Sequence, residues 1–220
     1  DQGTGSGRQC RIVKDAVLDV TADSHVERDA SGRRQGILRD GGSIGIGGTL
    51  DWEERDDLGN RPPDAFVVIE RGAVLDASGA TAVLDVQGQG ETTLASNGGT
   101  IALRSANALY LDGTLRAAAG GAGAQGGTLG VAFGGGLYDN GSTSSEVGGA
   151  RAITQTQATV SEGDALAPCY GHAVLLAQQV QEGGFDHLSL FADLRAQGEV
   201  DLRMGQSLRL YGCSHVAFAM

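Results

Sequence analysis

Two cysteine–histidine pairs are the first candidates in the sequence for metal binding or nucleophilic catalysis. Cys169 and His172 are separated by two residues, and Cys213 and His215 by one. Thiolates and imidazoles are the usual ligands of tetrahedral zinc, but a single intervening residue is poor ligand spacing and the two pairs lie far apart along the chain. The same residues offer no third member for a Cys–His nucleophile. We interpret them as buried thiols and surface imidazoles and predict no metal or cofactor.

Adjacent carboxylates suggest a second chemistry, the hydrolysis of polysaccharides. A glycoside hydrolase needs two carboxyl groups about 5–10 Å apart. Asp56 and Asp57, with Gly171 and His172, faintly resemble polygalacturonase motifs, but more than a hundred residues separate the two elements. Both aspartates also fall in segment 51–63, which is acidic, contains the single Trp and ends in two prolines. Because charges and prolines are excluded from a central strand, we predict an external loop there. A pectinase- or lyase-like enzyme on a parallel β-helix is therefore the alternative.

The remaining motifs do not complete a site. Residues 120–127 are as glycine-rich as a calcium-binding nonapeptide, but Gln125 is their only polar side chain and the motif needs Asp. Residues 154–156 form a single Thr-x-Thr, whereas an ice-binding face needs a stacked column. Three aspartates that end predicted strands are interpreted as turn formers: Asp76, Asp85 and Asp112. We predict no catalytic, cofactor-binding or metal-binding residue, and no enzyme.

Composition restricts the class of protein further. The 220 residues include 37 Gly but only 3 Pro, and aromatic residues make up 5%, which excludes collagen and favours a narrow aliphatic core. A formal charge of −11 opposes binding to nucleic acid or to an anionic membrane. No segment approaches the ~20 apolar residues that span a bilayer, so we expect no membrane insertion. The odd set of Cys10, Cys169 and Cys213 predicts mostly free thiols, with one pairing possible.

The elements that would position these residues follow from an internal repeat. Residues 99–113 align without a gap on residues 198–212, and both read Gly-x-β-x-Leu-Arg, four residues, then Leu-x-Leu-x-Gly, where β is a β-branched aliphatic. Two short alternating strands around a small turn are typical of a solenoid. Arg104 and Arg203 occupy equivalent repeat positions and are expected to point outward.

Period-2 alternation predicts further strands. Ile44 and Ile46 should face a core, and residues 66–79 read as strand, glycine turn, strand. Residues 173–181 fit either a strand pair or two helical turns; the flanking glycines favour strands. Alternating pairs in the last third predict strands there too: Leu188/Leu190, Val200/Leu202 and Leu208/Leu210. The predicted fold is all-β, a single parallel β-solenoid segment over 1–220, a fragment of a longer chain, with loop insertions at 51–63 and 139–149.

Several of these segments resemble one bacterial family. Residues 72–79, 94–103, 109–121, 126–129 and 184–190 are similar to the filamentous-haemagglutinin-like large exoproteins of two-partner secretion. The likeness covers about residues 36–212 and matches the interior of those proteins, because the Asn-Pro motifs of their secretion domain are absent.

The resemblance implies a right-handed parallel β-helix, export through an outer-membrane barrel transporter, and a role in adhesion or cell–cell contact. It supplies no catalytic residues. We therefore expect a structural, adhesive segment of a secreted, bacterial cell-surface exoprotein, whose partner is a receptor or glycan on a host or neighbouring cell. The loops around Trp52 and residues 138–149 are the expected contact surfaces.

Overall fold

The computed structural model describes residues 9–47, 66–105, 108–133, 151–154, 173–192, 195–197 and 200–211. Short β-strands dominate these residues, with very little helix, so the expected all-β class is confirmed. The strands of the first half are β1 (Gln9–Ile12), β2 (Val17–Asp19), β3 (Ser24–Arg28), β4 (Arg34–Leu38), β5 (Ser43–Ile46), β6 (Phe66–Ile69), β7 (Val74–Asp76), β8 (Thr81–Val86), β9 (Gly90–Ala95) and β10 (Thr100–Ser105). The remaining elements are β11 (Ala108–Leu111), β12 (Thr114–Arg116), β13 (Thr128–Phe133), β14 (Arg151–Thr154), β15 (Ala173–Leu176), α1 (Ala177–Glu182), β16 (His187–Phe191), β17 (Arg195–Gln197) and β18 (Ser207–Tyr211).

Most strands belong to three parallel sheets. The six-stranded sheet has the order β1-β6-β11-β15-β14-β17, the five-stranded sheet β18-β16-β13-β10-β5, and the three-stranded sheet β12-β7-β2. Two antiparallel hairpins, β3-β4 and β8-β9, complete the described pairing.

The chain visits the six-, three- and five-stranded sheets in that order, and we call one such passage a circuit. The first three circuits are β1-β2-β5, β6-β7-β10 and β11-β12-β13. The fourth passes through β15, α1 and β16. Helix α1 therefore takes the place that a strand of the three-stranded sheet has in the first three circuits. The fifth passes through β17, residues 200–204 and β18. Strand β14 is an addition, placed between β15 and β17 although it precedes β15 in the chain.

Successive circuits stack in register, and this places like residues on like. In the five-stranded sheet Ile101 pairs with Ile44 on one side and with Leu129 on the other. In the three-stranded sheet Leu75 lies between Leu18 and Leu115. Because side chains alternate along a strand, in-register pairing directs these aliphatic columns to one side of each sheet.

All three parallel sheets contribute to one aliphatic core. Val67 and Leu109 from the six-stranded sheet, Leu75 from the three-stranded sheet, and Ile101 and Leu129 from the five-stranded sheet are fully buried in the same cluster. Each such side chain contributes about 1.5–3 kcal/mol on burial. A second cluster occupies the opposite face of β6 and β11 and comprises Phe66, Val68, Ala108 and Tyr110.

Side chains at one recurrent turn fasten the first three circuits together. The Oδ1 atom of Asp40 accepts a hydrogen bond from the Asn97 backbone N–H at 2.8 Å, and the Oδ1 atom of Asn97 accepts one from the Gln125 N–H at 2.9 Å. Each of these residues is followed by Gly-Gly and then Ser or Thr. The Gly98 position requires glycine because an added Cβ would lie 2.1 Å from the Ala117 carbonyl oxygen.

The structure corrects the prediction for residues 173–181. The expected strand pair is one strand, β15, followed by a helix, α1. Ala177 and Val180 are buried three residues apart on α1, which is the spacing of one helical face rather than of a strand. Bracketing glycines fit both structures and so could not decide between them.

The internal repeat is also placed differently from the expectation. In the first copy Leu103 lies on β10 and Leu109 on β11, which belong to the five- and six-stranded sheets. In the second copy Leu202 precedes a strand of the five-stranded sheet, β18, which carries Leu208. Arg104 and Arg203 are therefore not structurally equivalent, and the strand predicted at residues 200–202 does not form. A strand–turn–strand pattern indicates which residues alternate between core and surface, but not which sheet each strand joins.

Candidate ligand-binding cleft

A cleft forms where α1 follows β12 in the stacking order. Strand β12 pairs with β7 and is the last strand of its sheet. A helix cannot continue a strand ladder, since its own backbone groups bond internally. Instead, the residues that directly follow the two elements are hydrogen-bonded: the Ala117 N–H donates to the Gly183 carbonyl oxygen at 2.9 Å. The incomplete contact leaves a cleft of about 370 Å³ between them.

Helix α1 depends on packing rather than on local signals. Its six residues include helix formers such as Ala177 and Gln178, but Leu176 at the N-cap provides no side-chain hydrogen bond. Isolated helices of this length are unstable in water, and a missing cap removes further stabilisation. Burial of Ala177 and Val180 therefore holds the helix in place.

Polar side chains line both walls of the cleft. Asp112, Thr114 and Arg116 come from β12 and the turn before it, and Gln178, Gln179 and Glu182 come from α1. Leu111, Leu115 and Leu176 complete much of the lining. The ionisable groups are two carboxyls and one guanidinium, which makes the cleft acidic by one charge.

Gln179 fixes α1 to the third circuit. Its Nε2 atom donates to the Leu111 carbonyl oxygen at 3.0 Å and also to the Gly113 carbonyl oxygen. These two bonds orient the amide, with its oxygen directed away from both carbonyls. That oxygen, Oε1, is buried and has no hydrogen-bond partner. Within the described ranges it is the only buried side-chain nitrogen or oxygen atom of which this is true. An unsatisfied buried acceptor costs about 1–3 kcal/mol.

The charged groups at the rim are themselves oriented. Gln178 Nε2 donates to Glu182 Oε1 at 2.7 Å across one helical turn. Arg116 Nη1 lies 3.6 Å from Asp76 Oδ2 in the neighbouring strand, and its side chain is 54% exposed. These partners hold Glu182 and Arg116 at the cleft while leaving capacity for a ligand.

A second charged cluster lies between the two hairpins. Arg34 of β4 bonds Asp85 of β8 through Nη2, 3.0 Å from Oδ1, and also pairs with Glu91 of β9. The Arg34 guanidinium lowers the pKa of both carboxyls, and its backbone N–H further lowers that of Asp85. The cluster joins hairpin to hairpin through one guanidinium that bonds two carboxylates. It is a structural contact, and Asp85 is not the turn former that its position predicted.

A serine–histidine pair lies on the five-stranded sheet. His187 Nδ1 and Ser207 Oγ are 2.9 Å apart on the paired strands β16 and β18. Asp186 precedes the histidine, but its Oδ2 atom accepts from the Gly126 N–H at 2.7 Å. The carboxylate is thus engaged elsewhere and does not orient the imidazole as a catalytic triad would require.

The sites weighed from the sequence lie mostly outside the described residues. Cys169, His172, Cys213 and His215 do so, as do Asp56, Asp57 and the segments 51–63 and 139–149. Cys10 is described and is an exposed free thiol. Within the described ranges no group of three or more His, Cys, Asp or Glu side chains could hold a metal ion.

Other predictions about single motifs can be assessed. Asp76 is the predicted turn former, since its Oδ1 accepts from the Ser78 N–H at 2.9 Å. Residues 120–127 lie in the connection between β12 and β13. The cleft was not predicted, because it depends on α1. The run of Ala, Gln and Glu at 177–182 was the signal that could have revealed the helix.

Comparison with known proteins gives no relative: no family model, curated protein or solved structure matches the chain. None of the helical residues described by the structure forms a segment with the length and apolar character needed to cross a membrane.

Proposed function

We propose that the chain is a right-handed parallel β-helix segment of a secreted, surface-displayed exoprotein of the filamentous-haemagglutinin type. Its work is to extend from the cell and present surfaces for adhesion. The observation that supports this most is the in-register stacking of successive circuits in three parallel sheets around one aliphatic core. Such stacking builds length one strand spacing at a time, about 4.8 Å per circuit.

The charge and surface of the chain are consistent with this role. A net charge of −11 disfavours nucleic acid and anionic lipid as partners. The partners of the proposal are an outer-membrane barrel transporter for export and a receptor or glycan on another cell. The chain itself is not an enzyme in this proposal.

An adhesion assay tests the proposed function. Beads that carry the purified chain should bind bacterial or epithelial cells, and deletion of residues 51–63 should reduce binding while far-UV circular dichroism stays unchanged. Undiminished adhesion would remove that segment as a contact surface. Failure of the intact chain to bind any cell would contradict the adhesive role.

One observation favours the enzymatic alternative: Asp112 and Glu182 both line the cleft between β12 and α1. Two carboxyl groups in one cleft are the minimum for glycoside hydrolysis. Release of reducing sugar from polygalacturonate or from neutral glucans, abolished by Asp112→Asn or Glu182→Gln, would establish that alternative. The adhesive proposal expects no release of reducing sugar from any of these polysaccharides. The Asp56→Ala/Asp57→Ala variant is a further control.

A further inference from the structure

We propose that the cleft between β12 and α1 binds an uncharged, hydroxyl-rich saccharide one or two sugar rings long. The inference deepens the proposed contact function and rests on it for its place in adhesion. It assigns a ligand class to a site whose lining residues are not part of the two predicted loop segments.

The polarity of the cleft walls selects the ligand class. Acceptors dominate, because Asp112 and Glu182 are carboxylates and Gln179 contributes an unpaired oxygen. Arg116 and Thr114 supply donors on the β12 wall, the wall to which Asp112 also belongs, and face the acceptors of α1. Sugar hydroxyls both donate and accept, so a neutral saccharide can bond to both walls at once. The two carboxylates would repel a uronate, which separates this ligand from a pectinase-type substrate.

The dimensions of the cleft also suit a small glycan. Its volume of about 370 Å³ falls within the ~300–1,000 Å³ typical of small-molecule sites. Leu176 is partly exposed and lines the cleft together with the polar groups, so the C–H face of a sugar ring would meet this apolar side chain while its hydroxyls meet the walls. Leu111 and Leu115 are buried in the core beneath the cleft.

Gln179 explains how binding would be coupled to the helix. Its Oε1 atom is buried and lacks a donor, and α1 has no side-chain N-cap. A small movement at the uncapped N-terminus of α1 would admit a hydroxyl to the unsatisfied oxygen. The ligand would then remove an energetic cost already present in the free protein, which favours binding.

Saturation-transfer NMR and calorimetry on the whole chain test the proposal. The probes are cellobiose, lactose and N,N′-diacetylchitobiose, with digalacturonate and spermidine as charged comparisons. The informative variant is Gln178→Ala/Glu182→Gln, which alters exposed rim groups and should fold. The matched control is Gln35→Ala, an exposed glutamine on hairpin strand β4.

We expect at least one neutral disaccharide to bind, and the rim variant to weaken its affinity about tenfold, as the loss of one or two hydrogen bonds implies. Gln35→Ala should leave affinity unchanged. The proposal is overturned if no neutral disaccharide binds, if the rim variant binds as well as wild type, or if digalacturonate or spermidine binds more tightly than every neutral sugar.

The failure of this inference differs from failure of the proposed function. Cell adhesion without saccharide binding in the cleft would overturn only the inference. Saccharide binding by a chain that adheres to no cell would contradict the adhesive role and leave the cleft assignment intact.

Discussion

Single side chains take over contacts where the regular pairing of strands ends. Gln179 is the clearest case, because its amide reaches two carbonyl oxygens, those of Leu111 and Gly113, across the junction between the third and fourth circuits. At the recurrent turn Asn97 acts similarly, bonding to Asp40 on one side and to Gln125 on the other. Side-chain amides and carboxylates thereby satisfy backbone groups that an idealised ladder would satisfy by itself.

Removal of the Gln179 amide should destabilise the fold. Gln179→Ala leaves the Leu111 and Gly113 carbonyls without this donor but also removes the unsatisfied Oε1 atom, so we expect the free energy of unfolding to fall by a net amount of about 1 kcal/mol. Gln178→Ala, one position away and exposed, should cost within about 0.5 kcal/mol. Urea denaturation of both variants measures the difference. Equal losses would show that Gln179 does not hold the helix.

The hairpin ion cluster should make stability depend on pH. Asp85 and Glu91 have pKa values lowered from about 3.8 and 4.5 by their bonds to Arg34. A carboxyl whose folded-state pKa is depressed stabilises the protein above its unfolded pKa, and this stabilisation disappears as the pH falls through the folded value. The temperature or urea concentration at the unfolding midpoint should therefore decrease as the pH is lowered from about 5. In Arg34→Gln this dependence of the midpoint on pH should be weaker.

The control for the pH series is Arg39→Gln, an exposed arginine that directly follows β4. It should reproduce the wild-type dependence of the midpoint on pH. An Arg34→Gln protein with an unchanged pH profile would mean that the cluster is not formed in solution.

At the scale of elements, close approach between circuits imposes residue choices that alternation alone does not reveal. A Cβ at Gly98 would lie 2.1 Å from a backbone oxygen of the next circuit, whereas a Cβ at Gly45 on β5 would meet no atom within 4 Å. The amino-acid sequence does not show how closely another part of the backbone approaches either glycine. The two glycines differ because one lies at the packed turn and the other on an open strand face.

Matched alanine substitutions should separate these two glycines. Gly98→Ala must displace backbone, so we expect a loss of more than about 2 kcal/mol in unfolding free energy. Gly45→Ala should be neutral or stabilise by up to about 1 kcal/mol, since it restricts the unfolded chain. Thermal and urea unfolding measure both. A well-tolerated Gly98→Ala would contradict the tight turn described here.

Aliphatic alternation predicted most of the stacked strands, although not one at Val200/Leu202, and it did not reveal the hairpins or the helix. The pairs Leu188/Leu190 and Leu208/Leu210 do stack on each other in parallel strands. The hairpins β3-β4 and β8-β9 are not indicated by the sequence, because their loops lack the Asn-Gly and Asp-Gly signals of tight hairpins. Helix α1, and with it the cleft, was missed because six residues are too few for helical periodicity to stand out.

At the scale of the whole molecule, burial varies along the stack of circuits. Leu188 in the fourth circuit is fully buried, whereas Leu208, its partner in the fifth, is 45% exposed. The same column of side chains therefore contributes unequally to stability.

Truncation of the two leucines should reveal this gradient. Leu188→Ala should cost about 2–5 kcal/mol, as for other fully buried leucines. Leu208→Ala should cost less than half as much, because nearly half of its surface is already in water. Chemical denaturation gives both values, and similar costs would mean that Leu208 is as buried as Leu188 in solution.

The distance between outward positions on the first and last strands of the five-stranded sheet tests the proposed β-helix most directly. Ser43 and Ser207 belong to one column of paired residues, four strand spacings apart. Spin labels at these positions, in a background with the three native cysteines replaced by serine, should give a narrow electron-resonance distance near 19 Å, about four times the inter-strand spacing. A broad distribution, or a distance far from that value, would contradict stacked parallel circuits and the exoprotein proposal built on them.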